Sequence, residues 1–189
     1  MNSNAAAIFH LPNLCLIAGN GRNSGKTGFA EALISRFSAF RPVIGLKVTS
    51  ILPGEASFHG SHPDPEAMEG FEIIRETSAD GVKDTSRMLR AGAREVYYIR
   101  AHDPMLDQAM KAFLSKTGNN ALIVCESGSL RSVVRPGVFV LVLNPLNLKS
   151  RSLNWKQQAD LIVEVNQPQQ AKDYVPAICL NENGWQLCS

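Results

Sequence analysis

Gly19-Asn20-Gly21-Arg22-Asn23-Ser24-Gly25-Lys26-Thr27 is the stretch on which the reading of this chain turns. Leu14-Cys15-Leu16-Ile17-Ala18 precedes it, a short apolar run that predicts a buried strand. Residues 28–37 follow, with Ala30, Leu33, Ile34 and Phe37 at helical spacing. Strand, glycine-rich loop, Gly-Lys-Thr and helix together make the setting of a phosphate-binding P-loop. Small residues there let backbone N–H groups turn inward as an anion nest. The start of the helix adds unpaired N–H groups and its dipole. The expected nucleotide-binding residues are therefore Gly21, Arg22, Asn23, Ser24, Gly25, Lys26, Thr27 and Gly28. Lys26 is expected to reach the β- and γ-phosphates, and the Thr27 hydroxyl to bind Mg²⁺.

The usual pattern is G-x-x-x-x-G-K-(S/T), and Asn20 stands where its first glycine falls. Asn tolerates positive φ, so a turn built on Asn20 is expected. Arg22 has two readings, contact with phosphate or ribose, and plain solvation.

Outward from the loop, alternating strand and helix signals continue. Residues 43–49 predict a second strand with Lys47 near its carboxyl end, where parallel sheets bind ligands. Lys47 is thus a candidate for a second, substrate-facing position, or else a solvated strand end. Residues 71–76 alternate weakly and suggest a short strand. Lys83 and Asp84 open a short helical segment, with Asp84 or Thr85 as cap and Gly92 as stop. Lys83, Asp84 and Arg87 either face a ligand or decorate a capped surface helix. Residues 95–100 read as a strand, Asp103-Pro104 as a helix start, and Leu106, Ala109, Met110, Phe113 and Leu114 as that helix's apolar face.

Residues 120–125 form a near-continuous apolar run ending in Glu126, as suits a parallel strand covered on both faces. A carboxylate at such a strand end is placed to hold Mg²⁺ or orient the attacking water. Lys26 and Glu126 are accordingly the candidate catalytic residues, and Thr27 and Glu126 the candidate metal ligands. A solvent-facing acid is the alternative for Glu126. Residues 137–143 and 160–165 read as further strands, with a loop at 144–150 placed to meet a base and a short helix at 153–158. No Asn-Lys-x-Asp motif stands there, which leaves GTP and ATP both open. Residues 177–187 predict a hairpin about Asn183-Gly184, expected to cap a sheet edge.

Composition narrows the classes. A length of 189 residues fits one domain over 1–189. A net charge of +2 gives no argument for a nucleic-acid surface, and no apolar run approaches a membrane span. No signal-peptide pattern opens the chain, so a cytoplasmic protein is expected. Cys15, Cys125, Cys179 and Cys188 form no CxxC pair and suggest neither a zinc site nor a disulfide framework. His59 and His62, in the long 52–70 loop, suggest either a metal site or a flexible substrate-facing loop. The fold class expected is a three-layer α/β P-loop NTPase with a mostly parallel sheet.

Four segments resemble the MobB family of molybdopterin-guanine dinucleotide biosynthesis. They are Ser24-Gly25-Lys26-Thr27 without the first glycine, the strand ending at Lys47, Lys83-Asp84-Thr85-Ser86 followed by Arg90-Ala91-Gly92-Ala93, and Ile123-Val124-Cys125-Glu126-Ser127-Gly128. Val48 stands where that family has a histidine, and Ser127 displaces its glycine. The resemblance implies GTP and Mg²⁺ binding, slow hydrolysis, a homodimer, and help to a nucleotidyltransferase partner that attaches GMP to molybdopterin. Two other functions remain open on the same residues. One is a small-molecule kinase whose acceptor is held by Lys47, Lys83 or Asp84; the other is a nucleotide-dependent switch that docks a protein.

Overall fold

The computed structural model describes residues 8–21, 23–51, 70–118, 121–146 and 154–188. Arg22, His59, His62 and residues 147–153 lie outside the described residues, so the readings placed on them do too.

Strand β1 (Phe9–Gly19) runs into the glycine-rich loop and then helix α1 (Lys26–Phe37). After β2 (Val43–Ile51) come β3 (Phe71–Arg75), α2 (Asp84–Arg90) and β4 (Glu95–His102). A 3-10 turn at Asp103–Met105 leads into α3 (Leu106–Thr117), followed by β5 (Leu122–Ser127), β6 (Val134–Leu143) and β7 (Leu161–Glu164). A 3-10 segment, Pro168–Ala177, precedes the short strands β8 (Ile178–Leu180) and β9 (Trp185–Leu187).

Seven strands form one sheet in the order β3-β4-β2-β5-β1-β6-β7. Every neighbouring pair is parallel except β3 with β4, so the sheet is mostly parallel with one antiparallel edge. Both faces are covered, as the near-continuous apolar strands require. One face packs α1, α2 and the Pro168–Ala177 segment through Phe29, Ile34, Met88 and Val175. The other packs α3 through Leu106, Met110 and Phe113. Each fully buried side chain such as Phe29 or Phe113 contributes about 1.5–3 kcal/mol. Gly45 on β2 is what admits α2, since a Cβ there would lie 3.2 Å from the Met88 Cβ and 3.0 Å from a Val96 methyl. Among the described residues no helix is long and apolar enough to cross a membrane.

Two expectations are corrected here. The hairpin forms, but it caps no sheet edge; β3 and β7 are the edges, and β8 and β9 pair only with each other. Trp185 is buried at ring-edge distance from Phe37, 5.0 Å between centroids, and its indole N–H donates to the Asn13 carbonyl at 2.8 Å. That carbonyl is available because β1 breaks register between Leu11 and Cys15, so the hairpin packs onto the bulge. The second correction concerns the cysteines. Cys179 and Cys188 are joined by a disulfide, because the hairpin register returns Cys188 to 5.2 Å from Cys179, Cα to Cα. Cys15 and Cys125 are buried thiols, and burial pushes both pKa values up, which leaves them inert.

Candidate functional site

The site gathers at the carboxyl ends of β1, β2 and β5, where the apolar ladder gives way to polar side chains. Register fixes the row. Ile17 pairs with Glu126, Glu126 with Lys47, and Lys47 with Tyr98. Glu126 and Lys47 therefore point to the same face, toward the start of α1.

The loop is held by side chains as much as by turns. Asn20 is buried, its amide donating to the Asn144 carbonyl at 2.7 Å and its carbonyl accepting from the Asn144 N–H at 3.0 Å. This overturns the expected role of Asn20. The left-handed non-glycine residue is Asn23, at φ 56°, and Asn20 instead ties the loop to the end of β6. Gly25 sits at the N-cap of α1 with φ 99°. A Cβ there would also meet the Pro168 carbonyl oxygen at 2.5 Å, so glycine is required by conformation and by space. Lys26 arches back over the loop, donating to the Gly21 carbonyl at 2.6 Å and to Ser24 Oγ at 3.1 Å. Burial lowers its pKa against the opposing pull of Glu126.

Thr27 Oγ1 lies 2.9 Å from Glu126 Oε2 and 3.1 Å from Asp84 Oδ1. Lys47 Nζ donates to the other oxygen of each carboxylate, to Asp84 Oδ2 and, at 3.1 Å, to Glu126 Oε1. Two lysines and two carboxylates thus balance around one threonine. Burial works against the charge on Lys47, but Glu126 and Asp84 outweigh it and raise its pKa. Burial likewise opposes the Asp84 carboxylate, and the Lys47 ammonium outweighs it and lowers that pKa. Three oxygens of the kind a hard cation takes, from Thr27, Asp84 and Glu126, converge on one side of this cluster. No group of three or more His, Cys, Asp or Glu able to hold a metal occurs among the described residues.

Asp84 is brought in by α2, and not by capping it. The N-cap position is Lys83, with no side-chain cap bond, and the Asp84 carboxylate turns into the site. Thr85 and Ser86 bond Glu76 Oε2 at 2.6 and 3.2 Å, which fastens the 76–78 turn to the helix. Sequence reasoning missed the clamp between α1 and α2. Arg87 holds Glu31 through two parallel bonds of 2.9 and 2.7 Å. Only the four-residue step from Thr27 to Glu31 and the three-residue step from Asp84 to Arg87 hinted at it.

An open cleft of about 1530 Å³ contains the loop, the α1 start with Thr27 and Gly28, Lys47, Asp84 and Glu126. Lys83 lines this cleft but is exposed, and its ammonium has no hydrogen-bond or ion-pair partner among the described residues. The structure thus brings Lys26, Thr27, Lys47, Asp84 and Glu126 together and leaves Lys83 on the rim. Comparison with protein-family models, curated proteins and solved structures finds no match to this chain.

Proposed function

We propose that the protein binds a purine nucleoside triphosphate with Mg²⁺ in the loop 19–27 and hydrolyses its β–γ bond slowly. One observation carries this: the Thr27 hydroxyl, next to Lys26 at a helix start, meets both Glu126 and Asp84. A hydroxyl and two carboxylates beside a phosphate cradle suit Mg²⁺, which takes few protein oxygens and shares phosphate oxygens and water. When bound, the ion supplies charge neutralisation at the β- and γ-phosphoryl oxygens. Loop amides position the phosphates, and Lys26 exchanges its two loop acceptors for phosphoryl oxygens. Glu126 orients the attacking water and accepts its proton, while Lys47 holds both carboxylates apart from one another. Turnover is slow because the guanidinium groups among the described cleft residues are committed, Arg87 to Glu31 and Arg75 to Glu95. None is free to meet charge on the γ-phosphoryl group.

The resemblance to the MobB family supports GTP as the nucleotide and an accessory role beside a nucleotidyltransferase in molybdenum cofactor biosynthesis. A small-molecule kinase is the second reading, favoured by the extension of the cleft past Lys47. GTP and ATP turnover, measured with and without added nucleotidyltransferase, separates the two. A rate well under one per second that rises with the partner supports the accessory role. ADP formation that requires a small acceptor, with no response to the partner, supports the kinase.

A further inference from the structure

The cleft is open and measures about 1530 Å³, against about 300–1,000 Å³ for small-molecule sites. Its lining runs past Lys47 to Thr49, Tyr98 and Ile74 on the β2, β4 and β3 side. Lys47, Tyr98 and Ile74 stand in register on β2, β4 and β3, so their side chains share one face of the sheet. Thr49, two residues on from Lys47, shares that face and lines the same space. Lys83 closes it from the α2 side, beside Val82, which is 94 % exposed. Among the described residues, the neighbouring charged groups on the β2 and β3 side are paired, Lys47 with Asp84 and Glu126, and Arg75 with Glu95. The Lys83 ammonium has no partner among the described residues.

We infer that this outer half is a second binding site, for a small anion with a flat or apolar body, seated alongside the nucleotide phosphates. Tyr98 and Ile74 offer the body a half-buried aromatic and aliphatic floor. Thr49 offers a hydroxyl, and Lys83 takes the carboxylate or phosphate. Lys47 forms the wall between the two halves, so whatever binds outside is held within one side chain of the γ-phosphate position. This rests on the nucleotide reading only for the identity of its neighbour; the pocket itself stands on the sheet register and the paired charges.

Phenyl phosphate, which joins a flat ring to a phosphate, is a direct probe. The full chain, labelled with ¹⁵N throughout and at isoleucine methyls and tyrosine rings, is titrated with it by NMR, in the presence of a non-hydrolysable nucleotide and Mg²⁺. The expected result is saturable movement of the Ile74 and Tyr98 signals, with affinity falling at least tenfold in Lys83→Ala and in Tyr98→Ala. Lys116→Ala, an exposed charge on α3 outside the cleft, leaves that affinity unchanged. Still Ile74 and Tyr98 signals, or an affinity indifferent to Lys83→Ala, overturn the second site. An equal loss in Lys116→Ala makes the effect one of net charge and overturns it equally. The nucleotide is scored separately, by the amides of Gly25 and Thr27. If these do not move while Ile74 and Tyr98 do, the nucleotide site fails and the second site stands.

Discussion

Thr27 Oγ1 stands 2.9 Å from Glu126 Oε2 although 99 residues separate them in the chain. The contact exists because β1 and β5 are parallel neighbours, which brings the residue after one strand's loop beside the acid ending the other. Replacing Glu126 by Gln keeps the shape and removes the charge. The expected result is at least a tenfold loss of turnover and of Mg²⁺ dependence, with nucleotide affinity changed by less than threefold. Steady-state hydrolysis beside calorimetry checks it, and unchanged turnover makes Glu126 a structural acid only.

Asn20 bonds the Asn144 backbone twice, and restoring the customary glycine removes both bonds. Asn20→Gly is therefore expected to destabilise the protein by about 1–3 kcal/mol, since the half-buried Asn144 backbone groups lose their partners. Denaturant unfolding measures it. A stability equal to the parent's shows the pairing to be incidental.

The ion cluster sets a pH dependence. Asp84 is held below its ordinary 3.8, so its contribution is present above that value and lost as pH falls through the lower folded value. Lys47 is raised above its ordinary 10.5, so its contribution is present below that value and lost as pH rises through the folded one. Between these limits neither Asp84 nor Lys47 adds a slope. Lys47→Met removes the ammonium that most strongly holds the Asp84 carboxyl down, which raises its folded pKa. The variant is expected to lose about 1–3 kcal/mol near pH 7, less than a fully buried pair because the Asp84 side chain is 35 % exposed. It then gains stability relative to the parent on acidification from pH 7 to 5. Parallel pH profiles for the two proteins contradict this.

The Cys179–Cys188 bridge closes a short loop, and such links contribute about 2–4 kcal/mol. The double variant Cys179→Ser, Cys188→Ser is expected to lose stability in that range. Under denaturing, non-reducing conditions the parent should titrate two thiols, Cys15 and Cys125, and four after reduction. Four without reductant contradicts the bridge.

The main elements were legible because their signals are local. Gly25-Lys26-Thr27 after an apolar run announced loop and helix, and the apolar strand ending in Glu126 announced a covered parallel strand. Lys47 and Asp84 were singled out, yet their pairing was not, since it depends on β2 lying between β4 and β5. Asn20 was read for its φ, a local property, whereas its role is set by a partner 124 residues away. The hairpin turn was visible in Asn183-Gly184, but its seat on the β1 bulge was not, because Pro12 and Asn13 give no sign of the partner that covers them. The Cys179–Cys188 link depends on the same hairpin register, and spacing alone does not specify it.

The nucleotide site is tested most directly by calorimetric titration of Mg²⁺-GTP and Mg²⁺-ATP into the parent and into Lys26→Ala. Saturable binding by the parent and a loss of at least a hundredfold in the variant, about 2.7 kcal/mol, with an unchanged melting temperature, is the predicted result. Among the described residues Lys26 Nζ hydrogen-bonds to its own loop, through Gly21 and Ser24, so its removal should spare the core. Equal affinities in the two proteins, or no binding of either nucleotide by the parent, contradict it.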